Sequence, residues 1–324
     1  MELKGNTIGF RGEYRATVLK ADGTVKEFLN EEKTLKSNDI IRNRLLDNFF
    51  LRLISVDSAV FGTFTRPSIR CGAGSASVVD SQTSLSSQLT LASGNWPQAD
   101  NPVTHPSASV NVDKVTGVVT FVFTFALGQI TGNISELGIN FIGTQTVGDT
   151  LVHSRALVVD ANDNPTVISV LPNEQLILTY NLYYEIGLAD STQTVTYNVS
   201  GTPTNVDVTI RHRTLSALRG YVDDPASAIV YSGNLGSQFT APSDVITSGL
   251  GLSTAYNSSG GKLYTLSLAT GQGNHLSGIS AIAFTQTYDG GGAAPFKIGF
   301  NPPIPKNSDR TLSISILQTF GRLP

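Results

Sequence analysis

The chain has 324 residues, enough for two domains of ordinary size, each with its own core. Hydrophobic content of 40% suffices to fold, while charge at 15% falls well below the roughly 25% of an average soluble domain. A net charge of −3 argues against a general nucleic-acid binder, a single cysteine excludes an internal disulfide framework, and no apolar run reaches the roughly eighteen residues of a membrane span.

Met1-Glu2-Leu3-Lys4-Gly5 leads into a strand pattern without an apolar signal region, so a soluble chain made in a cytoplasm is expected. From Ile8 to Val18 the even positions are Ile8, Phe10, Gly12, Tyr14, Ala16 and Val18, and the odd ones are mostly polar. That alternation predicts a half-buried strand. Asp22-Gly23 is a hairpin turn signal, with Thr24 to Leu29 as the return strand. Ser37, Asn38 and Asp39 offer an N-cap to a helix over about 38–54, whose apolar side is Ile40, Ile41, Leu45, Leu46, Phe49, Phe50 and Leu53.

Residues 66–107 read as irregular, with Gly72-Ala73-Gly74, a Ser/Thr/Gln stretch from Asp80 to Thr90, Trp96-Pro97, Pro102 and Pro106. The β pattern then resumes. Val119, Phe121, Phe123, Phe125 and Leu127 share one strand face, after a turn at Thr116-Gly117. Ile134 to Phe141, Leu151 to Val159 and Thr166 to Leu171 follow as strands. The cleanest alternation is Gln175 to Ile186, with Leu176, Leu178, Tyr180, Leu182, Tyr184 and Ile186 on one side.

A polar stretch, Gly187 to Ser191, precedes a second module with strands at Val195 to Val199, Val206 to Ile210, Leu263 to Ala269, Ile279 to Thr287 and Leu312 to Leu317. Residues 232–261 read as a long connection. Of the chain's charged residues, 19 lie within positions 1–57 and only 15 in positions 190–324, so the second module presents Ser, Thr and Asn rather than charge. The fold class expected is mainly β. Two sandwich-like modules are predicted, residues 1–189 with one N-terminal hairpin and one helix, and residues 190–324.

Few residues carry recognisable chemistry. Cys71 sits in an apolar-to-glycine stretch and reads as a small buried residue. His105, His153, His212 and His275 lack any Gly-x-Ser-x-Gly elbow or zinc-ligand spacing, although His153 and Arg155 share parity on one strand. Arg211-His212-Arg213, with Arg219 nearby, is the one basic cluster that would suit a phosphate, against a solvated strand end. Asp160-Ala161-Asn162-Asp163-Asn164 opens like an EF-hand loop, then fails at Pro165 and Leu171, which leaves a hairpin loop. Gly72-Ala73-Gly74 and Gly290-Gly291-Gly292 lack the residues of a phosphate cradle and read as turns.

Glycoside hydrolysis needs two carboxylates flanking a bond. The second module offers Asp190, Asp207, Asp223, Asp224, Asp244, Asp289 and Asp309 and no Glu, which makes a hydrolase the weakest expectation. Tyr288-Asp289, or Tyr221 near Asp223, would suit a sugar face, against tyrosines packed on their own module.

Three sets of segments resemble a family of tailed-bacteriophage virion proteins of the tail, baseplate or tail-fibre type. The first is Gly12-Glu13-Tyr14-Arg15, Ala21-Asp22-Gly23-Thr24-Val25 and Lys33-Thr34-Leu35-Lys36-Ser37-Asn38-Asp39. The second is Ile69-Arg70-Cys71-Gly72-Ala73-Gly74 with Asp80-Ser81-Gln82-Thr83-Ser84-Leu85. The third runs from Gly132-Asn133-Ile134-Ser135-Glu136-Leu137-Gly138 through Ser154-Arg155-Ala156-Leu157-Val158-Val159-Asp160 and Asn164-Pro165-Thr166 to Leu171-Pro172-Asn173-Glu174-Gln175-Leu176 and Thr179-Tyr180. The resemblance spans about residues 8–186, and Cys71 and the proline-free 75–79 stretch depart from its pattern.

The resemblance implies a non-enzymatic virion subunit, assembled in a host bacterial cytoplasm, whose partners are other virion proteins and copies of itself. No cofactor, metal, nucleic acid or membrane insertion is expected, and no catalytic residue. The alternative is a receptor-binding protein that recognises host surface glycan through residues 190–324.

Overall fold

An eighteen-residue strand lies at the start of the chain, its apolar residues facing inward at even positions from Ile8 to Val18. Strand β1 (Glu2–Leu19) buries Leu3, Ile8, Phe10, Tyr14, Ala16 and Val18, so the predicted strand is present and begins earlier. The computed structural model describes residues 1–54, 67–93, 99–101, 113–141, 151–199, 202–212, 224–257, 260–285 and 296–324. Trp96, Pro97, Pro102, His105, Pro106, Arg213, Arg219, Tyr221, Asp223, Tyr288, Asp289 and Gly290 to Gly292 lie outside the described residues.

The chain divides into two compact units. One takes Phe10–Asn101, Gly117–Tyr184 and Arg322–Pro324; the other takes Met1–Gly9, Pro102–Thr116 and Glu185–Gly321. The sequence cut near residue 190 therefore differs at the ends. Met1–Gly9 joins the second of these units, where Ser315 donates to the Met1 carbonyl (2.7 Å) and Leu3 enters the core.

In the first unit the Asp22-Gly23 hairpin is as expected, with Gly23 at φ +81° and the Asp22 carboxylate accepting the Thr24 amide. The return segment makes only isolated bridges, Leu19 to Val25 and Phe28 to Lys36, rather than a strand. The helix is shorter than its apolar spacing predicts. Strands β2 (Ile40–Arg42) and β3 (Arg44–Leu45) occupy its first half, and α1 covers only Asp47–Ile54. Burial explains the difference. Ile41 and Leu45 point inward while Ile40, Arg42 and Arg44 are exposed, a period of two, and β2 pairs with β1 (Tyr14 opposite Ile41). Helix α1 then packs Phe49, Phe50, Leu53 and Ile54 inward.

Strands β4 (Ser68–Gly72), β5 (Gln88–Ser93), β6 (Ala99–Asn101), β7 (Lys114–Thr124), β8 (Gly132–Ile134), β9 (Glu136–Asn140), β10 (Ser154–Leu157), β11 (Ile168–Val170) and β12 (Gln175–Gly187) follow. β7 runs straight through Thr116-Gly117, where a turn was expected, and Leu127 lies beyond its end, exposed. Three groupings form: β1-β12-β7-β6 with β2 on β1, the five-stranded β3-β10-β9-β4-β5, and the pair β8-β11. Their core is aromatic. Phe49 meets Phe10 at 5.3 Å and Phe141 at 5.6 Å, and Tyr180 meets Tyr14 at 4.7 Å, edge-on.

The second unit adds β13 (Ser191–Val199), β14 (Thr202–His212), β15 (Ser227–Tyr231), β16 (Val245–Asn257), β17 (Gly261–Leu268), β18 (His275–Thr285), β19 (Phe296–Lys306) and β20 (Leu312–Arg322). The order is β13-β14-β19-β18-β15-β16-β17-β20, then the start of β1. β16 serves two neighbours in turn, β15 through Val245 to Gly251 and β17 through Leu252 to Asn257. Gly249, at φ +68°, a conformation few other residues adopt, sits in a register irregularity of the β15 pairing just before the change at Gly251–Leu252. Side chains from both stretches enclose one core that includes Val208, Ile210, Val230, Tyr264, Leu266, Ile298 and Ile316. The sandwich-like, mainly β expectation is met.

β15, β16 and β19 went unread in the sequence. β19 holds Pro302, Pro303 and Pro305, and its pairing with β18 slips between Ile279 and Ala281, so two of the prolines fall in an irregularity that needs no ladder donor. At the far edge Gln193 reaches Lys4, accepting its amide (3.1 Å) and donating to its carbonyl (2.8 Å). One side-chain amide thus satisfies a strand edge that would otherwise be open.

Candidate functional site

The strongest constellation lies in the first unit, where Glu136 opens β9 and Arg155 sits on β10 opposite Gly138. Both side chains are fully buried, and Arg155 Nη2 donates to Glu136 Oε2 at 2.6 Å. A buried pair pays for its desolvation only if the remaining atoms also find partners. Here they do. Arg155 Nε bonds the same carboxylate, Nη1 bonds Gln82 Oε1 and the Ser77 carbonyl, and Nη2 also bonds Ser86 Oγ.

The carboxylate in turn accepts the amides of Gly74 (3.0 Å), Ser86 (3.1 Å) and Ser87 (2.7 Å). Burial raises the Glu136 pKa, but the Ser87 and Ser86 amides and Arg155 outweigh it, holding the carboxyl below its ordinary value. Gly72-Ala73-Gly74 is therefore a cradle for the protein's own anion. A Cβ at Gly74 would stand 2.3 Å from Glu136 Oε1. Chemically the arrangement pins the 73–87 loop to the sheet, with the Glu136 and Arg155 side chains closed to solvent.

Other segments of the same resemblance make similar ties. The Tyr180 hydroxyl accepts from Asn43 (3.1 Å) and lies where a Cβ on Gly12 would be, 2.1 Å away. Tyr14 bonds Ser154 (2.6 Å). Glu174 takes the Leu171 amide and the Lys26 ammonium (3.0 Å). Asp80 pairs with Arg44 and Arg322. Asp160 accepts the amides of Asn162 and Asn164 in a loop closed by the isolated bridge Val159 to Pro165 rather than by two paired strands, and the Asn164 amide is the main cause of its lowered pKa.

Cys71 is buried, which pushes its thiol pKa well up. His153 and Arg155 are both buried rather than lining an open face, and His153 Nδ1 accepts the Phe141 amide (3.1 Å). In the second unit Arg211 is bound to Asp190 and the Gly236 carbonyl. Its neighbour His212 is buried against Phe296, its pKa lowered to about 4 by burial. Together these leave the basic cluster a structural role at Arg211 and His212.

Among the acids, Asp207 accepts from Thr194 (2.7 Å), Asp224 holds buried Lys262 (2.8 Å), Asp244 accepts from Ser243, and Asp309 from Ser308. Each described acid thus has a local partner. Among the described residues, no three His, Cys, Asp or Glu gather to hold a metal, and no helix is long and apolar enough to cross a membrane.

Sequence reading missed three buried lysines, Lys262, Lys297 and Lys306. Lys297 donates to the carbonyls of Ser237 and Thr240, and Lys306 is caged by oxygens of the 269–274 and 307 turns. Carbonyl cages leave no residue signature in a sequence. Two grooves open on this unit. One, of about 360 Å³, is bordered by Asp207, Thr209, Asn234, Ser280 and Asn301. The other, of about 520 Å³, lies over Lys306. Comparison of the chain with protein-family models, with curated proteins and with solved structures finds no match.

Proposed function

We propose that the chain is a non-enzymatic structural subunit of a tailed-phage virion, in the tail, baseplate or fibre-attachment region, acting by multivalent protein–protein assembly. The observation that carries this reading is that the resembling segments, distant in sequence, meet in the Glu136–Arg155 clamp and its satellites. These segments share one polar core that fixes a loop to a sheet, the kind of rigid scaffold a structural subunit needs.

The outer side of β13 and β14 supports the mode of action. Its rungs are Thr192–Thr209, Thr194–Asp207 and Thr196–Asn205, a nearly uncharged surface that a neighbouring copy can cover with little stranded charge. Symmetry repeats such a modest interface many times. Particles purified on a density gradient from producing cells, digested and read by mass spectrometry, should contain the chain at a fixed ratio to other particle proteins. Its absence from particles would sink the proposal.

A second reading, recognition of host surface glycan through residues 190–324, is favoured by the 360 Å³ groove with its short polar side chains. Adsorption of the purified chain to cells, lost on Asp207→Ala with Asn301→Ala, is the result that would move it ahead.

A further inference from the structure

We infer that the groove bordered by Asp207 and Asn301 takes a sugar that carries no acidic group and discriminates against acidic ones. The inference rests on the second functional reading, glycan recognition by this unit, and adds the class of sugar. The groove forms where a side chain is missing. On the outer face of β14 and β19, Thr209 stands opposite Gly299, and Asp207 opposite Asn301. Gly299 leaves its place in the row bare, and Leu235 lies against it, so that a Cβ there would stand 3.0 Å from Leu235 Cδ2. The result is a cleft of about 360 Å³, bordered by Asp207, Thr209 and Asn301 of the strands and by Ser232, Asn234 and Leu235 of the loop.

Three side chains here keep bonding capacity. Thr194 occupies Asp207 Oδ1 (2.7 Å), and among the described residues nothing bonds Oδ2 or the side-chain amides of Asn234 and Asn301. All three residues are exposed. A carboxylate oxygen accepts from hydroxyls, and an amide both donates and accepts. Adjacent hydroxyls of a sugar ring need that mixture. As a directly opposed pair, Asp207 and Asn301 project from one face about 5 Å apart at their Cβ atoms. Leu235 and Pro303 add apolar surface for the C–H side of the ring.

Charge sets the class. Among the described residues of the lining, Asp207 alone is ionisable. Asp244 adds to the negative side, its Oδ2 2.5 Å from where a Cβ on Gly233 of the lining would stand. The cations on the same outer face are committed, Arg211 to Asp190 and the Gly236 carbonyl, and Lys297 to the carbonyls of Ser237 and Thr240. A sugar carboxylate or phosphate therefore meets like charge and no counter-charge, whereas a neutral sugar meets only donors and acceptors.

Ligand-observed NMR of the full chain with methyl glucoside, methyl galactoside, N-acetylglucosamine and methyl glucuronide at low salt tests the class, with adsorption of the chain to cells measured in parallel. Saturable binding of at least one neutral sugar is expected, with the glucuronide weaker by about tenfold. Asp207→Ala should weaken the neutral sugar by about tenfold at unchanged melting temperature. Asp207→Asn keeps an acceptor and drops the charge, so it should bring the glucuronide close to the neutral sugars, a change that lost shape alone would not produce. Adsorption without neutral-sugar binding, or a glucuronide bound as tightly as the neutral sugars, overturns the inference and leaves the glycan reading standing. Neutral-sugar binding unchanged in Asp207→Ala overturns it as well, and the absence of both adsorption and binding removes inference and reading together.

Discussion

Two buried cations, one in each unit, are held in opposite ways. In the first, Arg155 meets the full counter-charge of Glu136, and amides and side chains close the remaining valences. In the second, Lys306 meets only carbonyl and amide oxygens. Opposite charges lock each other in the ionised state, whereas neutral dipoles leave the net charge standing and its field open to a neighbour. The first arrangement makes a rigid joint between loop and sheet, and the second ties a lysine to its turns without a counter-charge.

The largest break in this comparison should come from Glu136→Gln. It strands a buried guanidinium, so a loss of roughly 3–5 kcal/mol in denaturant unfolding is expected. A loss below about 1 kcal/mol would mean the clamp is not the joint described. Lys306→Met removes a charge that has no partner charge, and its cost should be visibly smaller, about 1–3 kcal/mol for the orphaned oxygens.

Acid provides a graded test. His212 is neutral when folded, with a pKa near 4 against 6.5 when exposed, so the unfolded chain binds the extra proton in that interval. Stability should therefore fall by about 3 kcal/mol as pH drops from 6.5 to 4, and His212→Phe should flatten that slope. An unchanged slope in the variant would assign the acid sensitivity elsewhere. Glu136 acts lower. Its folded pKa is depressed, so its contribution is present above the ordinary carboxylate range and disappears only as pH falls through the folded value.

The smallest effect belongs to the exposed ladder. Thr194→Ala with Thr196→Ala should shift unfolding by no more than about 0.5 kcal/mol, because both sites are at the surface. Light scattering would separate stability from assembly. A change in mass without a change in stability would locate a contact between copies on β13.

Alternation made β12, the Ile8–Val18 part of β1 and the Val119–Phe123 part of β7 legible, because their inward positions are mostly large and apolar. The same rule failed where glycine and proline dilute it. β16 reads Ser248-Gly249-Leu250-Gly251-Leu252, and β19 reads Asn301-Pro302-Pro303. Ile40, Ile41, Leu45 and Leu46 fit both periods, and only the pairing of β2 with β1 decides between them. The clamp lay in view as separate fragments, since Gly74, Gln82, Glu136 and Arg155 were all singled out. That they touch depends on the path of the 73–87 loop, which local sequence does not encode.

The change of partners along β16 also bears on how the second unit comes apart. One strand is the edge of β15 over its first half and of β17 over its second, so neither ladder is complete without it. Fraying from one end bares β15 alone and from the other β17 alone, but release of β16 as a whole exposes amides on both. Hydrogen exchange across β15, β16 and β17 should accordingly follow one common protection level, as a single cooperative opening rather than two.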